Sequence, residues 1–207
     1  RAGSIWVGTR DNGLNRLDFT SHKFTHLYFD STIPSSLSDN KVWAFEEGSD
    51  GEIWIGTNRG LNRYDTATGE FQNFFRDSGL SHDAVWDIYR DQDDRLWIGT
   101  QDGLDLFDPS TGKFRGFRTI PGDRSSLTHN FVVTMRNDSA GRFWIGTWGG
   151  GLNLMDVETG SFTNYVTQKT DSSSLSHNGV WLIFEDSKSR IWVATESGFN
   201  LFDSKTN

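Results

Sequence analysis

The sequence predicts an all-β fold, namely a β-propeller built from repeated blades of four antiparallel strands. Two observations lead to this prediction. A five-residue motif centred on tryptophan occurs five times in the 207 residues, with its tryptophans 48, 43, 47 and 48 residues apart. Between these motifs lie further short segments with strand character and no helical periodicity, which is typical of propeller blades of roughly 40–50 residues. The five motif tryptophans are Trp6, Trp54, Trp97, Trp144 and Trp192.

Each repeat begins with a short apolar segment, strand A, whose copies span residues 42–46, 85–89, 132–136 and 180–184. A turn rich in Gly, Asp and Ser follows, and these residues suit a tight reversal of the chain. The next segment, strand B, carries the tryptophan motif, for example Leu-Trp-Ile-Gly-Thr at residues 96–100. Strands A and B are apolar on both faces, so their sheet must be covered twice. Stacked blades provide both covers.

Strand C follows a second turn and closes on an aspartate that starts the next turn. These aspartates are Asp18, Asp65, Asp108, Asp156 and Asp203. Strand D has alternating aromatic residues, as in residues 71–74 and 114–117, and a polar loop then returns to the next strand A. That loop ends on recurring polar residues, namely Asn40, His82, His129, Asn130, His177 and Asn178. Because they recur once per blade, we expect them to bind backbone groups rather than one shared metal ion.

The chain is predicted to be a single repeat array over residues 1–207, with units at approximately 1–36, 37–79, 80–126, 127–174 and 175–207. The first unit lacks strand A and the last lacks strand D, which gives 18 strands. In the usual ring closure the two termini together supply one four-stranded blade, whereas here they would supply six strands. We therefore expect an arc of a larger seven-bladed ring. The alternative is a five-unit ring with two thinner blades.

The composition narrows the classes of partner. A net charge of −8 disfavours nucleic acid and anionic membrane surfaces, since both attract basic faces. The absence of cysteine excludes disulfides and thiolate metal sites. No apolar run approaches the roughly 20 residues of a membrane span. We expect no metal, no cofactor and no membrane contact within this segment.

The repeat resembles the two-component regulator propeller repeat. The residues that carry the resemblance are the motif at 96–100, Gly-Leu-Asn-Arg-Tyr-Asp at 60–65 and Thr-Gly-Lys-Phe at 111–114, and five successive copies match. In that family such repeats form the extracytoplasmic sensor region of bacterial hybrid two-component systems, typically as seven-bladed propellers before an immunoglobulin-like module, a membrane helix and a histidine kinase. The resemblance implies a periplasmic location and, for many members, carbohydrate sensing. It assigns no ligand residues, because the shared motif is structural.

The residues that depart from the repeat are the candidates for function. Because strands alternate in direction, the D-to-A and B-to-C loops emerge on one face, around the mouth of the central channel, and they vary most. Trp148 lies in a B-to-C loop one residue longer than in units two, three and five, where its indole suits stacking on a sugar or packing on a partner protein. The alternative is that it folds over the adjacent blade. The other eight tryptophans are predicted to lie in the inter-blade core.

Charged and polar residues that break the repeat complete the candidate site. Those in the B-to-C loops are Arg10, Asp11, Asn58, Arg59, Gln101, Asp102 and Glu196. Asp87 stands in strand A, where other units have Ala44, Thr134 and Leu182, and is predicted to line the channel. Taken singly, each is better explained as a solvated loop charge. Together with Trp148 they predict a polar, partly aromatic mouth suited to a neutral or weakly charged oligosaccharide.

The predicted function is therefore ligand sensing by a propeller segment of a bacterial two-component receptor. A protein-interaction or dimerisation platform, with further blades or a second copy as partner, is the alternative. A hydrolase or lyase is the least favoured class. Glycosidases need two carboxylates about 5–10 Å apart, whereas the regular acids here form turns, and no nucleophile, phosphate-loop or zinc motif is present. We therefore expect no enzymatic activity.

Overall fold

The computed structural model describes residues 4–48 and 51–202, which form 18 strands and one short 3-10 helix at Arg76–Ser78. The strands are β1 Ser4–Gly8, β2 Leu14–Asp18, β3 Lys23–Leu27, β4 Val42–Glu47, β5 Glu52–Thr57, β6 Gly60–Asp65, β7 Phe71–Phe74, β8 Val85–Arg90, β9 Leu96–Thr100, β10 Gly103–Asp108, β11 Lys113–Phe117, β12 Val132–Asn137, β13 Phe143–Thr147, β14 Gly151–Asp156, β15 Ser161–Tyr165, β16 Val180–Glu185, β17 Ile191–Thr195 and β18 Gly198–Phe202.

The strands form five antiparallel sheets, each made of strands that follow one another in the chain. Three sheets have four strands, β4 to β7, β8 to β11 and β12 to β15, and the first and last, β1 to β3 and β16 to β18, have three. The predicted all-β propeller with incomplete first and last units is confirmed. Among the predicted turn aspartates, Asp203 lies outside the described residues. No helix in the described part of the chain is long and apolar enough to cross a membrane.

The core lies between successive blades, and the motif tryptophans of the interior blades are in it. Trp97 and Trp144 have no exposed surface, and Trp54 is 5% exposed. Each packs against an aromatic ring of the following blade, Trp54 on Phe107, Trp97 on Phe143 and Trp144 on Phe202, with ring centroids 5.1, 5.0 and 4.9 Å apart. Strands β4, β8, β12 and β16 contact one another, so they are the innermost strands. The motif is thus part of the scaffold.

Hydrogen bonds fix the orientation of the motif tryptophan in three blades. In each of them the indole Nε1 donates to an aspartate Oδ2 six residues earlier, and an arginine between the two donates its Nε to the same oxygen. The three sets are Asp91, Arg95 and Trp97; Asp138, Arg142 and Trp144; and Asp186, Arg190 and Trp192, with indole distances of 2.8, 2.8 and 3.0 Å. In the second blade Gly48 stands at the aspartate position, and the buried Glu52 occupies the space beside it.

The two ends of the array expose faces that are buried between interior blades. Phe199 is 76% exposed, whereas the equivalent Leu61 and Leu104 of interior blades are fully buried. On the opposite side Ile5 and Val7 are 45% and 43% exposed. Leu182 and Phe184 join Phe199 and Trp192 around an apolar hollow of about 290 Å³. The five sheets therefore form an arc with two apolar end faces.

Candidate functional site at the loop face

The D-to-A and B-to-C loops lie side by side at the start of the innermost strands. In each case the residue after the strand B threonine donates its backbone N–H to a carbonyl at the start of strand A. These bonds join Asn58 to Lys41, Gln101 to Ala84, Trp148 to Phe131 and Glu196 to Gly179, at 3.1, 3.1, 2.9 and 3.1 Å. On the other face the hydroxyl of Thr66 in a C-to-D turn reaches the carbonyl of Gly51 in an A-to-B turn. The D-to-A and B-to-C loops therefore share one face and the A-to-B and C-to-D turns the other, as predicted.

The recurring histidines and asparagines of the D-to-A loops serve the backbone, as predicted. Each histidine Nδ1 accepts a hydrogen bond from the N–H two residues later, His82 from Ala84, His129 from Phe131 and His177 from Gly179, at 3.0, 3.1 and 3.0 Å. Each asparagine Oδ1 accepts from a residue at the start of its loop, Asn40 from Phe29, Asn130 from Thr119 and Asn178 from Thr167, at 2.8, 2.8 and 2.7 Å. The described residues contain no cluster of metal-ligating side chains.

A β-bulge interrupts every innermost strand at its second residue. The pairing of β4, β8, β12 and β16 with the following strand shifts around Trp43, Trp86, Val133 and Trp181 respectively. A bulge re-aims the side chain it carries. Trp43 and Trp86 are only partly buried and Trp181 is 41% exposed. The prediction that the strand A tryptophans belong to the inter-blade core is therefore wrong for Trp181, whereas Trp43 and Trp86 stack on each other between two blades.

These tryptophans are part of a continuous row of rings along the loop face, which we call the aromatic row. It consists of Trp43, Trp86, Phe131, Trp148 and Trp181. Successive ring centroids in this order are 4.5, 5.0, 5.7 and 4.2 Å apart. The row crosses four blades, so its rings form a surface that no single blade could provide.

Trp148 restores the aromatic row where the fourth blade lacks the bulge tryptophan. That blade has Val133 at the bulge, and Trp148 enters the row from the B-to-C loop of the same blade. Its ring stacks on Phe131 and meets Trp181 edge to face, while 39% of its surface stays exposed. It thus packs over the neighbouring blade and also remains accessible. The sequence signal for the role of Trp148 is that the fourth repeat has Val133 at the bulge position and a tryptophan in its B-to-C loop.

The polar candidates of the B-to-C loops lie on the same face as the aromatic row, and in the described part of the chain no hydrogen bond or ion pair joins one candidate to another. Arg10, Asn58, Arg59 and Gln101 are exposed, as is Asp11. Asp102 accepts a hydrogen bond from the Asn130 amide at 2.9 Å and pairs with Arg118 at 3.3 Å. Glu196 lies 3.5 Å from Nδ1 of His177. The candidates therefore share one face of the molecule, but the structure joins them to loop residues rather than to each other.

Asp87 is on an innermost strand and is partly exposed. Its carboxylate reaches across to the next blade. Oδ2 accepts the backbone N–H of Met135 at 2.6 Å, and Oδ1 accepts that of Ile88 at 3.0 Å. Burial between the blades raises its pKa to about 7, and the negative charge of Glu46 adds to this, while the two N–H donors and Arg136 act in the opposite direction. Asp87 is thus a link between blades.

The elevated pKa of Asp87 predicts a pH dependence of stability. The ordinary pKa of an aspartate is 3.8, and the pKa of Asp87 in the folded protein is about 7. Between these two pH values the folded protein therefore holds a proton that the unfolded chain has released. The free energy of unfolding therefore falls as pH rises from about 4 to about 7. An asparagine side chain at this position would keep the acceptor for the N–H of Met135 without the titration. We expect the free energy of unfolding of Asp87→Asn to rise by about 1 kcal/mol or more relative to that of wild type when the pH is raised from 4 to 8. Urea unfolding at both pH values measures this difference.

A matched control for this titration is Asp156→Asn. The backbone N–H of Thr159 leads the contacts that lower the pKa of Asp156, so its contribution to stability is present above pH 4 and is lost only in stronger acid. In this variant the change in the free energy of unfolding between pH 4 and pH 8 should be nearly the same as in wild type. Equal pH profiles for wild type and Asp87→Asn would contradict the assignment.

Comparison with protein-family models gives one match, to the family described as two component regulator propeller. It covers residues 36–59, 79–102, 126–149 and 174–197, each running from the end of a D-to-A loop through strands A and B. No curated protein matches the chain. The four matched segments contain the loop junctions, the bulge and the tryptophan motif described above.

Comparison with solved structures finds similar folds in the extracellular domains of bacterial two component and one component systems. The extracellular domain of the hybrid two component system BT3049 from B. thetaiotaomicron superposes with a TM-score of 0.81 and 26% identity over 100% of this chain and 26% of that one. The extracellular domain of BT4673 from the same organism gives 0.79 and 27% identity over 97% and 26%. This chain therefore spans about a quarter of their length. Virginiamycin B lyase from Staphylococcus aureus, at 0.65 and 18% identity over 97% and 66%, shares the fold alone.

Proposed function

We propose that the chain is an extracytoplasmic, ligand-sensing part of a bacterial signalling receptor and binds an oligosaccharide at its loop face, because four of its segments match the two component regulator propeller family. The observation that carries this proposal is the aromatic row, with the exposed Trp148 at the fourth blade. The similar structures from BT3049 and BT4673 are those of extracellular domains, which supports the extracytoplasmic location.

The chemistry of the loop face suits a saccharide. Half-exposed indoles offer apolar faces to the C–H groups of a sugar ring, and exposed loop side chains such as Asn58 and Gln101 offer hydrogen bonds to its hydroxyls. Ligand sites generally combine an aromatic lining with a small number of polar groups in this way. The B-to-C loops place one such polar residue beside the row in each of several blades.

A catalytic role has less support from the same face. Glycoside hydrolysis needs two carboxylates flanking one bond. Here Asp87 holds backbone N–H groups, Asp102 pairs with Arg118 and Glu196 lies beside His177. The acids therefore have separate partners, so we propose binding without turnover.

A protein-interaction role is the second candidate, and the apolar end faces favour it. Phe199, Phe184 and Leu182 are more than half exposed on one end face, and exposed apolar patches often mark protein contacts. Such a contact would use the ends of the arc. It is therefore compatible with a ligand at the loop face.

The saccharide proposal predicts a loss of affinity on truncation of Trp148. We expect Trp148→Ala to weaken binding of the saccharide by about tenfold or more, since aromatic anchors carry much of the energy of such contacts. Isothermal titration calorimetry of neutral oligosaccharides against both proteins measures this. Phe24→Ala is the matched control, because Phe24 is an exposed ring on the outer strand β3. Failure of every oligosaccharide, neutral or acidic, to bind the wild type would overturn the proposal.

A further inference from the structure

The most accessible part of the aromatic row is the corner made by Trp148 and Trp181. These rings are 39% and 41% exposed, and their planes meet at 82° with centroids 4.2 Å apart. We propose that this corner is the subsite for one uncharged sugar unit, and that the carboxylate of Glu196 beside it excludes acidic sugars. This inference rests on the proposed function and specifies the class of saccharide.

Ring geometry shows which indole face a ligand can use. In an edge-to-face pair one ring directs its edge at the face of the other, so each ring keeps at least one face clear of its partner. Trp148 also stacks on Phe131, at an interplanar angle of 17°. In the described residues Trp181 has no aromatic neighbour other than Trp148. Trp181 is therefore the main stacking surface of the corner, and Trp148 forms its side wall.

Gly179 brings the charged group to this corner. It pairs with Trp148 as an isolated β-bridge and accepts a hydrogen bond from the N–H of Glu196 at 3.1 Å. A Cβ on Gly179 would lie 3.1 Å from Cδ of Glu196 and 3.2 Å from Nδ1 of His177. The Glu196 carboxyl and the His177 ring thus pack directly over Gly179. A carboxylate therefore lies next to the wall that Trp148 forms.

The charge next to the corner selects among sugars. The Glu196 side chain is 40% exposed, so its oxygens can accept hydrogen bonds from sugar hydroxyls. A uronate or sulfate at the same place would bring a like charge against it, and like-charge contacts suppress wrong partners. The arginines among the candidates, Arg10 and Arg59, belong to the first two units, away from the corner. An uncharged sugar unit is therefore the fitting occupant.

Calorimetry with two sets of probes tests this selectivity. The neutral set contains β-1,4-linked tetramers of glucose, mannose and xylose, and the acidic probe is a tetramer of galacturonate. We expect at least one neutral tetramer to bind and the acidic one to bind at least about tenfold more weakly. Trp181→Ala should lower the affinity for the neutral tetramer by about tenfold. Trp181→Phe keeps an aromatic ring and should lower this affinity by less. Glu196→Gln should bring the acidic probe to within a few-fold of the neutral one.

Controls separate the failure of this inference from that of the proposed function. Glu158→Gln changes the net charge equally but lies in an exposed C-to-D turn on the opposite face, so it should alter neither affinity. Neutral binding that is unchanged in Trp181→Ala, or an acidic probe that binds wild type as well as the neutral one, would overturn the subsite and leave the proposed function in place. Absence of binding by all probes would overturn both. Thermal unfolding of each variant verifies that it is folded.

Discussion

Replacing Trp144 with alanine is expected to lower the free energy of unfolding by about 3–5 kcal/mol. The ring has no exposed surface. Its centroid lies 4.9 Å from that of Phe202 in the last blade and 5.9 Å from that of Tyr165 in its own blade. Its removal leaves a cavity between two blades and removes one of the donors to the buried carboxylate of Asp138. Urea-induced unfolding followed by circular dichroism measures the change.

Trp148→Ala is the matched control for this loss, because it removes the same kind of side chain from the loop that follows the same strand. Trp148 is 39% exposed and contacts other rings of the aromatic row rather than the blade core. We expect its truncation to cost about 1 kcal/mol. Equal losses from the two variants would contradict the division of the tryptophans into scaffold and surface.

Removing the carboxylate that holds this tryptophan should have an effect of similar size. Asp138 is 2% exposed and accepts four hydrogen bonds, from Nε1 of Trp144, from Nε and the backbone N–H of Arg142, and from the N–H of Ala140. Asp138→Ala leaves these donors without their acceptor. An unsatisfied buried donor typically costs about 1–3 kcal/mol, so the loss of the hydrogen bonds at the buried Asp138 carboxylate is expected to cost about 3–5 kcal/mol in total.

Two further variants distinguish the roles of shape and charge at Asp138. Asp138→Asn keeps one acceptor and removes the charge, so we expect an intermediate loss in the same urea titration. Asp156→Ala removes an exposed turn aspartate of the same blade that accepts two backbone N–H groups, and it should cost clearly less than Asp138→Ala because water can replace these contacts. A loss in Asp138→Ala no larger than that in Asp156→Ala would show that the buried network contributes little.

The architecture could be predicted because its cause is local and repeated. Each motif tryptophan must fill the same space between blades, so the requirement recurs at nearly constant spacing. The roles of the loop asparagines and histidines followed from the same logic. A side chain needed once per blade serves the blade, as the contacts of Asn130 and His129 demonstrate.

The aromatic row could not be predicted, because a bulge leaves no mark in the pattern of apolar residues. Trp43 stands between Val42 and Ala44 and therefore reads as part of a buried strand. One extra residue in the strand changes which face each side chain occupies. The ring contacts between Trp86 and Phe131 also join different blades, so no spacing along the chain encodes them.

The polar candidates were predicted in location but not in their contacts. The sequence shows that Asp87 and Glu196 break the repeat. It does not show that the N–H of Met135 lies within 2.6 Å of Asp87, or that Gly179 leaves room for the side chain of Glu196. Such pairings depend on the distance between blades, which only the folded structure provides.

The most direct test of the central claim, that the tryptophan motif is scaffold and the loop face binds the ligand, uses the nine indole N–H signals of the protein. A ¹⁵N-labelled sample is titrated with the neutral tetramer that binds, and the indole shifts are followed by NMR. We expect the largest changes at Trp148 and Trp181 and little change at Trp97 and Trp144. Changes concentrated on the buried motif tryptophans, with Trp148 and Trp181 unaffected, would contradict the account.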